Sequence, residues 1–201
     1  LRQESHTAQE QADAVITVAR AHGNQFFEAR GTVLRSWALA EQGQGKEGIA
    51  QIHQGMNDMR ASGTVVGESG FLCMLANGYE NAGQIEEGLV VLTEALAYVQ
   101  KTEENYHEAE LHRFKGELLL QQSSDNHLEA ESCFHKALDV ARNQQAKSLE
   151  LRAATSLSRL RQSQNKRKDA YDLLTPVYNW FTEGFDTADL IDAKALIDEL
   201  S

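Results

Sequence analysis

EQGQGKEGIAQIHQG, residues 41–55, is answered 40 residues later by NAGQIEEGLVVLTEA, residues 81–95. Gly43, Gln44, Glu47 and Gly48 recur as Gly83, Gln84, Glu87 and Gly88, and Ile52 stands where Leu92 does. Two further copies follow, SSDNHLEAESCFHKA at 123–137 and SQNKRKDAYDLLTPV at 163–177. A small residue recurs as Gly48, Gly88, Ala130 and Ala170, at spacings of 40, 42 and 40. Four residues on stands a larger apolar side chain, Ile52, Leu92, Phe134 or Leu174; three further come Gly55, Ala95, Ala137 and Val177. Positions i, i+4 and i+7 share one face of a helix, so each copy reads as an amphipathic helix with small residues where a neighbour comes close. Projected backwards, the same period gives these roles to Ala8, Ala12 and Val15.

A second helix precedes each copy. ARGTVLRSWALAEQG (29–43), SGFLCMLANGYENAG (69–83), AELHRFKGELLLQQS (109–123) and LRAATSLSRLRQSQN (151–165) carry Ser36, Ala76, Gly116 and Ser158 near their middles. Leu39, Tyr79, Leu119 and Arg161 follow three residues later, the last the weakest match. Gly43, Gly83 and Asn165 sit where a helix ends in a left-handed residue. The third copy has a longer polar turn, QQSSDN, which accounts for the two extra residues in its period.

Composition agrees with an all-helical reading. The 201 residues contain one proline, Pro176, too little turn punctuation for a strand-rich domain. A net charge of −11 argues against general affinity for nucleic acid or anionic membranes, which requires excess Lys and Arg. No apolar run is long enough to span a bilayer, and no signal peptide is visible. Cys73 and Cys133 lack CxxC spacing and read as small apolar core residues in a reducing, cytoplasmic compartment.

A helical hairpin repeated in this way cannot bury its apolar face alone, so neighbours must stack, and the expected fold is an all-α, right-handed superhelical solenoid. Small–x–x–aromatic/Leu in the first helix, a glycine turn, then small–x3–large–x2–small in the second resembles the tetratricopeptide repeat (TPR). The resemblance covers roughly residues 3–184, with repeats about six residues longer than the common form; HEAT repeats, of similar period, are the alternative. A single array over 1–201 follows: 3–23 as the second helix of an incomplete repeat, helix pairs over 25–62, 65–101, 104–144 and 147–184, and a capping helix over 186–200. In that last segment, DTADLIDAKALIDELS, Leu190, Ala193, Leu196, Ile197 and Leu200 form one stripe while Asp189, Asp192, Lys194 and Asp198 face away. The start at Leu1 and the missing first helix read as a fragment of a larger protein.

Three phrases go further: ELHRFKGELLL (110–120), ESCFHKALDVARNQQAKSLELRAATSLSRL (131–160) and LLTPVYNWFTEGFDTADLIDAKALIDEL (173–200). They resemble the C-terminal helical-repeat region of large bacterial signalling proteins that join an adenylate or guanylate cyclase domain to a regulatory ATPase domain. The resemblance implies a regulatory, partner-binding role. The phosphate loop GxxxxGK[ST] and a strand-borne metal-binding Asp pair are absent, so it implies no catalysis here.

In a TPR array the first helices line a concave groove. By register the outward positions are Arg30, Val33, Trp37, Cys73, Asn77, Glu110, Arg113, Glu117, Arg152, Thr155 and Arg159. Trp37 would anchor a peptide side chain, or else pack on the next helix. The carboxylate clamp of one TPR subfamily needs Lys and Asn where this chain has Val33, Trp37, Gly70 and Met74, so that clamp is not expected. Charge is uneven: residues 77–110 hold eight acidic residues and one Lys, residues 147–170 seven basic and two acidic. These runs are either solvated helix faces or patches that steer a charged partner. His107 and His112, and His127 and His135, lack the i, i+4 spacing of paired metal ligands, and no nucleophile–base pair is discernible.

The sequence therefore predicts a non-catalytic module that binds a protein or peptide, with no cofactor, no metal, no nucleic acid and no membrane insertion. A sensor holding a small signal peptide or metabolite in the groove is the alternative. Self-association through the N-terminal end or the charge patches is a further expectation.

Overall fold

The computed structural model describes residues 2–63, 66–102 and 104–201, the side chains of residues 2–4 excepted. Residue 65, where the second expected helix pair opens, and Glu103 of the acidic run lie outside the described residues. The described residues form α-helices with one short 3-10 turn and no strand. They fall into two compact units, residues 1–106 and 107–201.

The first unit holds α1 (Arg2–Ala21), α2 (Gln25–Glu41), α3 (Gly45–Ala61), α4 (Glu68–Asn81) and α5 (Ile85–Thr102). The second holds α6 (Glu108–Gln122), the 3-10 turn Ser124–Asn126, α7 (His127–Asn143), α8 (Lys147–Ser163), α9 (Arg167–Tyr178) and α10 (Ala188–Leu200). Within each unit the helices pair with their sequence neighbours, α2 with α3, α4 with α5, α6 with α7 and α8 with α9.

The recurring residues are the contacts between paired helices. Ile52, Leu92, Phe134 and Leu174 are fully buried, as are Ala95, Ala130, Ala137 and Ala170. Opposite them, Ser36, Ala76 and Ser158 are equally enclosed. The need for small residues is steric. A Cβ on Gly48 would lie 2.6 Å from the Ser36 carbonyl oxygen, and one on Gly55 would lie 2.7 Å from Val33 Cγ2. In the second unit the large partner is Phe134, whose ring would stand 2.5 Å from a Cβ on Gly116.

Tight turns end the helices as the repeat requires. Gly43 (φ 93°) and Gly83 (φ 71°) are left-handed, and Asn165 (φ 61°) takes the same conformation. After each, a backbone N–H reaches back across the turn, Gln44 to Leu39 O, Gln84 to Tyr79 O and Lys166 to Arg161 O, at 2.9–3.0 Å. Gln145 (φ 55°) closes α7 in the same way, although nothing in its residue type announces it. The QQSSDN turn is the 3-10 segment, where Asn126 Nδ2 donates to the Leu119 carbonyl at 3.1 Å, serving the end of α6.

Several expected positions are corrected. Val33, Cys73 and Thr155, expected on an outward groove face, are buried, because in each case the side chain lies on the stripe that packs between helices. On α1 the buried face is Ser5, Ala12, Ile16 and Ala19, whereas Ala8 is half-buried and Val15 is 37% exposed. The physical reason is that α1 packs on α2 as α3 packs on α4. Ile16, Ala12 and the edge of Val15 approach Gly31 of α2, just as Ile49 and Ile52 approach Gly78 of α4. Val15 lies at the edge of that contact, its Cγ1 3.3 Å from where a Cβ on Gly31 would stand, and so stays part exposed.

Candidate functional site

Each unit presents a face built from first helices, and the candidate residues divide between them.

In the first unit the face comprises α2 and α4. Trp37 is half-buried, and its indole Nε1 donates to Asn77 Oδ1 at 2.8 Å. One turn further along, Asn81 Nδ2 donates to Glu41 Oε1 at 2.8 Å. At the other end the Arg30 guanidinium lies 5.5 Å over the Phe71 ring. The indole N–H of Trp37 is thus bound to the next helix, α4, and the residue as a whole is half-buried.

In the second unit the face comprises α6, α8 and α10. Arg113 holds both oxygens of Glu110, Nη2 to Oε1 at 2.6 Å and Nε to Oε2 at 3.0 Å, and reaches Glu117 Oε1 at 2.6 Å with Nη1. Across to α8, Arg152 Nη1 donates to Glu110 Oε1 at 3.4 Å and Ser156 Oγ donates to Glu117 Oε1 at 2.7 Å. Across to α10, Arg152 Nε donates to Asp189 Oδ2 at 2.7 Å, and Arg159 pairs with Asp192. Asp189 and Asp192, expected to face away from the packed side, bind α8; Lys194 and Asp198 pair with each other on the surface.

Burial pushes the Glu110 carboxyl upward, but the hydrogen bonds and charge of Arg113, with the charge of Arg152, overcome it and hold the group below its ordinary value. Burial likewise disfavours charge on Arg152, and Glu110 and Asp189 more than restore it. Glu110, Arg113, Glu117, Arg152 and Arg159 are therefore a fixed ionic ladder joining three helices. Its chemistry is cohesion between helices, with each charge answered inside the chain.

The basic run is similarly engaged. Glu150, buried at the start of α8, accepts from Lys147 Nζ at 2.7 Å and Arg142 Nε at 2.9 Å. Lys168 meets Asp172 at 2.5 Å, and Arg161 and Arg167 donate to the backbone oxygens of Asp169 and Glu199. Sequence reading missed the acidic partners Asp189 and Asp192, because nothing in a single sequence says which helix faces which. A signal was present in hindsight only as spacing: Trp37 and Asn77, like Glu41 and Asn81, stand one period of 40 apart.

Solved structures with this arrangement of helices are available for comparison. A putative kinesin light chain of Podosopora anserina with nearly identical TPR-like repeats is similar at a TM-score of 0.63 with 16% identity, over 85% of this chain and 84% of that one. BtubC (BKLC) from P. vanneervenii is similar at a TM-score of 0.72 with 12% identity, over 98% of this chain and 89% of that one. The fold is TPR-like. No model of a known protein family matches the chain. Among curated proteins, the uncharacterized protein R02095 of Rhizobium meliloti (strain 1021) is 28% identical over 142 residues, 71% of this chain. The match takes in only 14% of that relative's length. No helix among the described residues is long and apolar enough to cross a membrane.

Proposed function

We propose that this chain is a non-catalytic, protein- or peptide-binding module of a larger bacterial signalling protein of the cyclase–ATPase type, acting in the cytoplasm. The TPR-like fold supports an interaction scaffold, since stacked hairpins offer extended surface rather than an enclosed reaction site. The resemblance of residues 110–120, 131–160 and 173–200 to cyclase-associated repeat regions supports the signalling context, and similarity to a much longer bacterial protein supports a larger bacterial parent.

The observation that carries the reading is the contrast between the two faces. The ladder of the second unit is internally compensated, whereas the α2/α4 face keeps a half-exposed indole with an asparagine beside it. An aromatic anchor next to a backbone-reading amide suits an extended peptide with one large apolar side chain.

The test is selection of peptides from a random library on the immobilised 201-residue chain, followed by titration into a Trp180→Phe variant in which Trp37 is the sole indole. Binders that perturb Trp37 emission and lose affinity in Trp37→Ala and in Arg30→Ala support the reading. Binders indifferent to both substitutions, or selection of small metabolites in preference to peptides, overturn it.

A further inference from the structure

Arg30 carries a charge that no acid among the described residues answers. Elsewhere in its unit Arg20 meets Glu28 at 2.7 Å, Arg35 meets Asp13 at 3.0 Å, and Arg60 pairs with Glu68. In the second unit each arginine reaches a carboxylate or a backbone carbonyl. The half-buried Arg30 guanidinium instead lies 5.5 Å over the ring of Phe71, a residue 4% exposed, and its Nη1 stands 3.7 Å from where a Cβ on Gly67 would be. The acids at this end of α4 are engaged elsewhere, Glu68 by Arg60 and Glu104 by the backbone N–H groups of Gly67 and Ser69. Stacking on an aromatic ring leaves the N–H edge of a guanidinium open in its own plane, where two donors match the two oxygens of a carboxylate. A half-buried cation without a counter-charge is costly, and an acid brought by a ligand removes that cost.

We propose that Arg30 receives a side-chain carboxylate of the bound peptide, so that the α2/α4 face selects an acidic residue as well as a large apolar one. The inference rests on the peptide-binding reading and narrows its ligand class.

The spacing of the two anchors sets the form of the ligand. Arg30 and Trp37 are seven residues apart on α2, and both reach toward α4, to Phe71 and to Asn77. A ligand that touches both spans about 10 Å, at about 1.5 Å per helical residue. A polyproline II segment, rising about 3.1 Å per residue with three residues per turn, covers that span in three residues and keeps both side chains on one side. The preferred peptide therefore carries Asp or Glu three positions from a large apolar residue. A chain with a net charge of −11 offers acidic peptides no general attraction, so a preference for acid must come from this local contact.

Selection on the 201-residue chain from a random peptide library blocked at the C-terminus tests the proposal, followed by titration of a selected peptide and of its derivative with the acid changed to the amide. Asp or Glu should be enriched three positions from the apolar residue. Neutralising that acid should weaken binding to the parent by about tenfold or more, the range of a hydrogen bond to a charged partner. In Arg30→Gln the same change should matter by less than about twofold. Arg30→Lys, which keeps the charge without the fork, should fall between the two. Both variants should melt as the parent does, since no carboxylate among the described residues depends on Arg30. Selected peptides without an acid overturn the proposal. So does an acid whose loss costs as much in Arg30→Gln as in the parent, or selection that succeeds only with free C-termini. Trp37-dependent binding of acid-free peptides would leave the scaffold reading standing while removing this inference, whereas failure to select any peptide removes both.

Discussion

Trp37 and Asn77 occupy the same position in successive repeats, 40 residues apart, and meet through a 2.8 Å hydrogen bond from indole to amide oxygen. Glu41 and Asn81 repeat the relationship one turn on, and Glu110 with Arg152 does so in the second unit with a separation of 42. Within each unit, equivalent positions of neighbouring first helices are thus in register, and a side chain there finds its counterpart from the next repeat. Replacing Asn77 with Leu removes the acceptor and leaves the indole N–H unpaired. Urea unfolding should show a loss of about 1 kcal/mol, with a change in the emission of Trp37 in a Trp180→Phe background. An unaltered midpoint would mean the bond is not populated in solution.

The ladder makes a pH-dependent contribution. Glu110 has a lowered folded-state value, so the stability it confers is present above the ordinary carboxylate range and is lost as pH falls through the folded value. Glu110→Gln should cost about 2 kcal/mol at neutral pH, the range of a hydrogen bond to a charged partner. Denaturation curves of the two proteins should converge on acidification. A constant difference from neutral pH down into the folded-state titration would refute the assignment.

His112 acts in the same pH region by a different route. Burial, then the charges of Lys136 and Lys115, push its value down from 6.5 to about 4. Between those values the unfolded chain binds the extra proton, so stability is complete above pH 6.5 and declines toward pH 4. A His112→Gln variant should flatten that part of the melting-temperature profile. A variant with the same acid slope as the parent would show that the histidine titrates normally.

Two glycines in helix interiors separate sterics from propensity. Gly48→Ala places a methyl group 2.6 Å from a backbone oxygen, whereas Gly78→Ala meets only side-chain atoms, Ile49 Cγ1 at 3.3 Å and Ile52 Cδ1 at 3.8 Å. Helix propensity favours alanine by about 1 kcal/mol at both sites. Thermal denaturation should nevertheless find Gly48→Ala destabilised by about 1–3 kcal/mol and Gly78→Ala neutral or slightly stabilised. Equal effects at the two positions would contradict the close approach of α2 and α3.

Glu104 supplies a cap from a distance. Its carboxylate accepts from the backbone N–H groups of Gly67 and Ser69, both at 3.1 Å, and from Ser69 Oγ at 2.7 Å, at the start of α4. Glu104→Ala should cost about 1 kcal/mol, with faster amide exchange in the first turn of α4. Exchange rates equal to those of the parent would argue against a standing contact.

The elements legible in the sequence are those fixed by size at a constant interval. Gly48 and Gly55 announce a close-packed helix because a Cβ there would collide with α2, and Gly43, Gly83 and Asn165 announce its turns. What the interval does not encode is which neighbour occupies each side of a helix. By the interval Val15 takes the role of Gly55, yet it sits at the edge of the α1–α2 contact and is 37% exposed. The charges were legible as residues but not as pairs. Arg152 and Arg159 read as groove cations, and only three-dimensional packing brings Asp189 and Asp192 of α10 against them. Gln145 shows the same limit in the backbone, since its left-handed conformation is imposed by the tight connection rather than chosen by the residue.

The 3-10 turn at Ser124–Asn126 absorbs the extra length of its repeat at the outer bend, where Ser124 and Asp125 are exposed and Asn126 keeps its bond to Leu119. Foreign sequence spliced between Ser124 and Asp125 would extend the loop without displacing α6 or α7. That junction is the natural insertion point for an affinity tag or reporter that must leave the helix pairing of its own unit intact.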